Sequence, residues 1–135
     1  MEYCCMEELI EQWMSFAAQN FNVAKHLYEC YYPRPLEIIC YHCQQAAEKA
    51  IKAVIISQGA PGGVPKSHDL VFLLNQIKNL VNVESIYQEA QALTPYGVTA
   101  RYPGEMDLED RNAELAVRYA EAILTWSKEN TDIKP

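Results

Sequence analysis

Apolar and polar positions alternate at helical spacing along almost the whole chain. From about Glu7 to Tyr32, the residues Leu9, Trp13, Phe16, Ala17, Asn20, Ala24, Leu27 and Tyr31 stand at spacings of three and four, the period of an amphipathic helix. Neither Gly nor Pro interrupts the stretch until Pro33-Arg34-Pro35, where the residue before each proline is pushed out of the helical region. Pro35 suits the opening of a second helix, with Glu37 near its positive dipole end, running from Leu36 to Gln58. One face of that helix carries Leu36, Ile39, Cys43, Ala46, Ala47, Ala50, Ala53 and Val54, mostly small residues that invite close helix packing. The stretch 59–65 reads as a turn-rich linker. Ser67 then fits an N-cap for a third helix with Leu70, Leu73, Leu74, Ile77 and Leu80 as its stripe. A shorter fourth helix is expected from about Asn82 or Val83 to Leu93, and a last one capped by Asp107 with Asp110 in its first turn. That last helix buries Ala113, Ala116, Val117, Ala120, Ile123, Leu124 and Ser127. No strand alternation, repeat or low-complexity tract stands out. The expected fold is all-α: a four- to five-helix up-and-down bundle, residues 1–135 forming one domain with its core over about 7–127.

Composition narrows what such a bundle does. Eleven Lys and Arg against eighteen Asp and Glu leave a formal charge of −7. Bulk attraction to nucleic acid or to an anionic membrane needs the opposite sign. No apolar run approaches the ~20 residues that span a bilayer. The opening Met1-Glu2-Tyr3 is acidic where a secretory leader is basic. Five cysteines are an odd count for a disulfide framework and read as free thiols of a cytoplasmic chain.

Two groups of residues could carry chemistry. On the second helix His42, Gln45, Lys49 and Lys52 fall within about 80° of one another, a polar stripe beside the small-residue face, with His42 at the boundary. It is either a solvated flank or a wall of donors suited to phosphate or a nucleotide edge. The stretch from Thr94 to Met106 is rich in Pro, Gly, Tyr and Arg, and is long for a loop without a function. There Arg101 offers a planar fork for phosphate, while Tyr96 and Tyr102 could stack a base or simply seal the bundle. Ser67-His68-Asp69 does not make a triad, because adjacent helical residues point in different directions. Cys40 and Cys43 have CxxC spacing but lack a second ligand pair and a βαβ setting, so neither a metal nor a cofactor is expected.

Residues 42–52 (His42-Cys43-Gln44-Gln45-Ala46-Ala47-Glu48-Lys49-Ala50-Ile51-Lys52), then His68-Asp69-Leu70, then Ala100-Arg101-Tyr102-Pro103, resemble the HEPN domain (higher eukaryotes and prokaryotes nucleotide-binding) in order and spacing. The resemblance covers about Glu7 to Ser127. It implies two long helices in an antiparallel pair, a homodimer, and a small prokaryotic protein encoded beside a minimal nucleotidyltransferase partner, a toxin–antitoxin setting. Many relatives of this kind are metal-independent ribonucleases with an Arg followed four to six residues later by a His. This chain departs from that pattern: Arg34 lies too far before His42, and no His follows Arg101, Arg111 or Arg118. A base or acid beside a phosphate-stabilising cation is what such cleavage requires. The resemblance therefore points to the non-catalytic branch, with no catalytic residue and a nucleotide ligand held by His42, Gln45, Lys49, Arg101, Tyr102 and Tyr96. A ribonuclease using His42 or His68 with Arg101, and a helical bundle serving interaction alone, are the alternatives.

Overall fold

The computed structural model describes residues 2–59, 63–98 and 107–131, and only the backbone of 2–5 and 98. Three long helices carry the fold: α1 (Glu2–Cys30), α2 (Leu36–Ser57) and α5 (Asp110–Thr131). Between α2 and α5 come two short helices, α3 (Leu70–Asn75) and α4 (Tyr87–Leu93), with 3-10 turns at Glu84–Ile86 and Thr94–Val98. Among the described residues there is no strand.

Side-chain contacts give the directions. Asn20 of α1 meets His42 of α2, and Trp13 meets Lys52, so α1 and α2 are antiparallel. Arg34, just before α2, reaches Asp110 at the start of α5, and Ser57 at the end of α2 reaches Asn130 near the end of α5. Hence α5 runs parallel to α2, the short helices having carried the chain back to the starting end.

α2 is the centre of the molecule. The whole of its small-residue face except the half-buried Leu36 is buried, and so are Cys40, Gln44, Glu48, Ile51, Lys52 and Ile55 on its other sides. A helix covered nearly all round can only lie between neighbours, and here α1 and α5 flank it while α3 and α4 cover the remainder. Alanines at 46, 47, 50 and 53 let those neighbours approach closely.

The chain turns between α1 and α2 around Arg34. Its Nε donates to the Tyr28 carbonyl, one of the carbonyls α1 leaves open at its end, at 2.6 Å. Its guanidinium lies 4.1 Å from the Tyr28 ring centre and 4.5 Å from that of Tyr32, and also donates to the Tyr32 hydroxyl. The segment read as the stop of one helix and the opening of the next is thus also a packed corner.

Several boundaries and faces differ from the expectations. Of the row expected along α1, Ala17 and Ala24 are buried and Trp13, Asn20 and Leu27 half-buried, whereas Leu9, Phe16 and Tyr31 are exposed and Ile10, outside that row, is buried. The N-cap of α3 is Asp69, whose carboxylate accepts from the Phe72 N–H at 3.1 Å; Ser67 instead accepts from the Asp69 N–H and shapes the turn before it. α3 ends at Asn75, and Leu80, expected on its stripe, is exposed. α5 starts at Asp110, three residues beyond Asp107, and the Asn112 side chain reaches back to accept from the Glu109 N–H at 2.8 Å, the reciprocal half of a capping box. α5 also buries Trp126, whose indole N–H donates to the Asn82 carbonyl. At its far end the α3–α4 segment is fastened back on its beginning, where the Leu70 N–H donates to the Thr94 hydroxyl at 3.1 Å.

Candidate functional site

His42, Gln45 and Lys49 stand on one half-buried row of α2, as their spacing predicts. The His42 ring is held by Asn20 of α1, Nδ1 lying 2.9 Å from the Asn20 Oδ1. Asn20 uses its NH₂ on the Phe16 carbonyl at 2.9 Å, so its oxygen faces the ring and His42 must be the donor. A neutral His42 then carries its proton on Nδ1 and presents Nε2 as an acceptor. Burial, and next the nearby Lys49 ammonium, hold His42 below its ordinary 6.5. The row is therefore not the wall of donors its composition suggests: at neutral pH it offers an acceptor at His42 and a cation at Lys49. Lys49 is itself held below its usual value, by burial first and by Lys52 against the opposing pull of Glu48.

Lys52 leaves this row. It is buried, its ammonium 2.9 Å from the Glu48 Oε2 and 5.8 Å from the Trp13 ring centre. Glu48 is the hub of a network that reading the sequence missed. Its Oε1 accepts from His68 Nδ1 at 2.9 Å and from the Gln44 amide at 3.2 Å. The Gln44 amide also donates to the His68 carbonyl at 2.9 Å, and its oxygen accepts from Gln45 at 2.7 Å. Burial alone would push the Glu48 carboxyl up; hydrogen bonds from Lys52, His68 and Gln44 outweigh it and hold the group below 4.5. The i, i+4 spacing of Gln44, Glu48 and Lys52 was the available signal. His68, from another part of the chain, had none.

Tyr96 does not join the row. It is half-buried on the 3-10 turn Thr94–Val98, bonded to the Cys40 thiol and to Asn112. Cys40 lies about 160° round α2 from His42 at 100° per residue, so the helix separates the two. Arg101 and Tyr102 lie outside the described residues. Next to Tyr96, Gly97 is required by close approach: a Cβ there would stand 2.6 Å from the Gln44 Cδ, and that amide is pinned on both its nitrogen and its oxygen.

The CxxC pair is chemically quiet. Burial, against a hydrogen bond from Tyr96, pushes the Cys40 thiol up to about 12, and burial together with Cys40 pushes Cys43 higher still. Among the described residues no group of three or more His, Cys, Asp or Glu side chains is placed to hold a metal ion. No helix among them is long and apolar enough to cross a membrane. Two hollows lie away from the row. One of about 440 Å³ is lined by Arg34 to Ile38 with Asp107 and Leu108, and one of about 680 Å³ lies around the turn between α3 and α4. Neither is lined by His42, Gln45 or Lys49.

The chain matches known proteins in sequence and in shape. The HEPN-domain profile matches residues 10–130, and the chain belongs to the HEPN-domain family. It is similar to the TT1696 protein of Thermus thermophilus, at 26% identity and a TM-score of 0.74 over 90% of this chain and 97% of that one. It is also similar to ST0689, an archaeal HEPN homologue, at 26% identity and a TM-score of 0.71 over 91% and 98%. No curated protein matches.

Proposed function

We propose that this chain is a non-catalytic, nucleotide-binding accessory module that self-associates as a homodimer and works beside a nucleotidyltransferase partner in a prokaryotic cytoplasm. The observation that carries the reading is the α2 row, where His42 is fixed in one tautomer beside the half-buried Lys49. An acceptor at His42 Nε2 fits the N–H edge of a base or a sugar hydroxyl, and Lys49 fits a phosphate. Gln45, with its amide tied to Gln44 at one end, retains acceptor capacity between them. Arg101 would add the fork for phosphate and Tyr102 a ring to stack on the base. Tyr96, bonded to Cys40 and Asn112, serves to anchor the chain leading to them. The chain has no Arg with a His four to six residues after it, which supports binding over cleavage.

The test is thermal. A triphosphate nucleotide that binds only the folded state raises the melting temperature by mass action. Arg101→Ala is expected to abolish the rise, and Lys49→Ala to weaken it, with added salt reducing whatever remains. Incubation with RNA in the absence of metal is expected to leave the RNA intact. A melting temperature that no nucleotide moves would sink the reading in favour of an interaction bundle. RNA cleavage that disappears in His42→Ala would replace it with a ribonuclease.

A further inference from the structure

The side chain of His68 is 61% exposed, yet its ring is held: Nδ1 lies 2.9 Å from the Glu48 Oε1. Nε2 is therefore the ring nitrogen left for a ligand. That makes His68 the counterpart of His42, whose Nδ1 is likewise held, but by the amide oxygen of Asn20. The two holders differ in charge. Burial, and next the Lys49 ammonium, work against a charged His42, whereas a carboxylate stabilises an imidazole that carries a proton on both nitrogens. The two rings also stand on opposite borders of the α2 row. Round the helix from Gln45, Lys49 lies about 40° and His42 about 60° to one side, and Glu48, which carries His68, about 60° to the other. Gln45 itself is tied towards the His68 side, donating to Gln44, whose amide donates to the His68 carbonyl.

We propose that His68 is a second phosphate-binding residue of the row: as a nucleoside polyphosphate binds, His68 takes up a proton from solvent and donates its Nε2–H to the phosphate that Lys49 holds. The proposal rests on the nucleotide-binding reading above and adds to it a residue and a direction. Charge favours this end of the row. With His68 protonated, the cations Lys49, Lys52 and His68 surround a single carboxylate, Glu48, a local excess of positive charge on a chain whose net charge is −7. Of the charged residues beside His68 in the chain, Lys66 is exposed and Asp69 turns its carboxylate to the Phe72 N–H. A phosphate at Nε2 sets the imidazolium between two anions, with a charge-assisted hydrogen bond on each nitrogen. Length gives the direction. Lys49 is seven residues beyond His42, about 10 Å along the helix axis. A base or sugar at His42 therefore brings the outer phosphates of a di- or triphosphate, rather than a lone first phosphate, to Lys49 and His68.

Two measurements test this. In isothermal titration at pH 7 with adenosine and guanosine triphosphates, His68→Gln, which keeps a donor for Glu48 but has no proton to take up, is expected to weaken binding about tenfold or more, the loss of one hydrogen bond between charged groups. Long-range ¹H–¹⁵N NMR of the unmodified protein, saturated with whichever triphosphate binds, should show a proton on His68 Nε2 and none on His42 Nε2. The NMR measurement decides alone if His68→Gln does not fold. A bare His68 Nε2 in the complex, or an affinity unchanged in His68→Gln while Lys49→Ala lowers it, would overturn the role of His68 and leave the nucleotide reading standing. If neither triphosphate binds the unmodified protein, that reading fails and the role of His68 with it.

Discussion

A carboxylate buried as Glu48 is stays charged only because both its oxygens are served, Oε1 by His68 and Gln44 and Oε2 by Lys52. Its folded value lies below 4.5, so ionised Glu48 stabilises the fold above that pH, and the contribution is lost as pH falls through the lower folded value. Removing one partner of a buried ion pair strands the other, at a cost of about 3–5 kcal/mol. Glu48→Gln, which strands Lys52, is therefore expected to lose stability of that order in urea unfolding at pH 7. The gap from the unmodified protein should narrow as the pH is lowered below 4.5, and a gap independent of pH would show that Glu48 is not the titrating hub. Angle along α2 placed His42, Gln45 and Lys49 correctly on one row, and it also placed Lys52 there. What a helical wheel does not contain is that Trp13 of α1 comes over Lys52, or that His68 arrives from the segment before α3 to close on Glu48. Tyr96 was read as a nucleotide-binding residue, with sealing the bundle as the alternative; its bonds to Cys40 and Asn112 turn it away from the His42 row and towards the second role.

At the scale of elements, the long helices were the readable part. α2 was expected to start at Leu36 and does, and its predicted small-residue face beyond the half-buried Leu36 is buried. Ala50 is fully buried on that face. Added methylenes in a filled core force neighbours apart at a cost of typically about 1–3 kcal/mol. Ala50→Leu is accordingly expected to destabilise by that amount in denaturant unfolding, with no gain in helicity to offset it; a neutral result would mean the packing there is loose. α3 shows why periodicity overruns a boundary. Ile77 remains buried beyond the helix end, because the chain continues as tight turns in which Gln76, Ile77 and Leu80 N–H groups bond carbonyls three residues back. Apolar spacing survives such turns while the helix does not. For α1 the spacing was right and the face right in part: Ala17 and Ala24 are buried as expected, while Leu9, Phe16 and Tyr31 on the edge of that row are exposed and Ile10 is buried instead, a choice that only packing against α2 makes.

For the molecule as a whole, the all-α class followed from unbroken helical periodicity and from the lack of strand alternation, whereas the parallel course of α5 beside α2 depends on how the short helices carry the chain back, which no local pattern encodes. That return has a mechanical consequence. The Leu70 N–H meets the Thr94 hydroxyl, and the Gln44 amide binds the His68 carbonyl while pressing on Gly97. Residues 70–94 thus begin and end at one point beside Gln44, like a handle with both ends riveted to the same plate and its middle resting on α5 through the Trp126–Asn82 bond. A handle attached that way unfastens as one piece, because releasing either end removes the rivet of the other. Amide hydrogens of buried Leu73, Leu74, Ala90 and Leu93 should then exchange with a common opening rate. Gln44→Ala should quicken all four together while leaving the middle of α5 slow; four separate rates would mean the two ends are held independently.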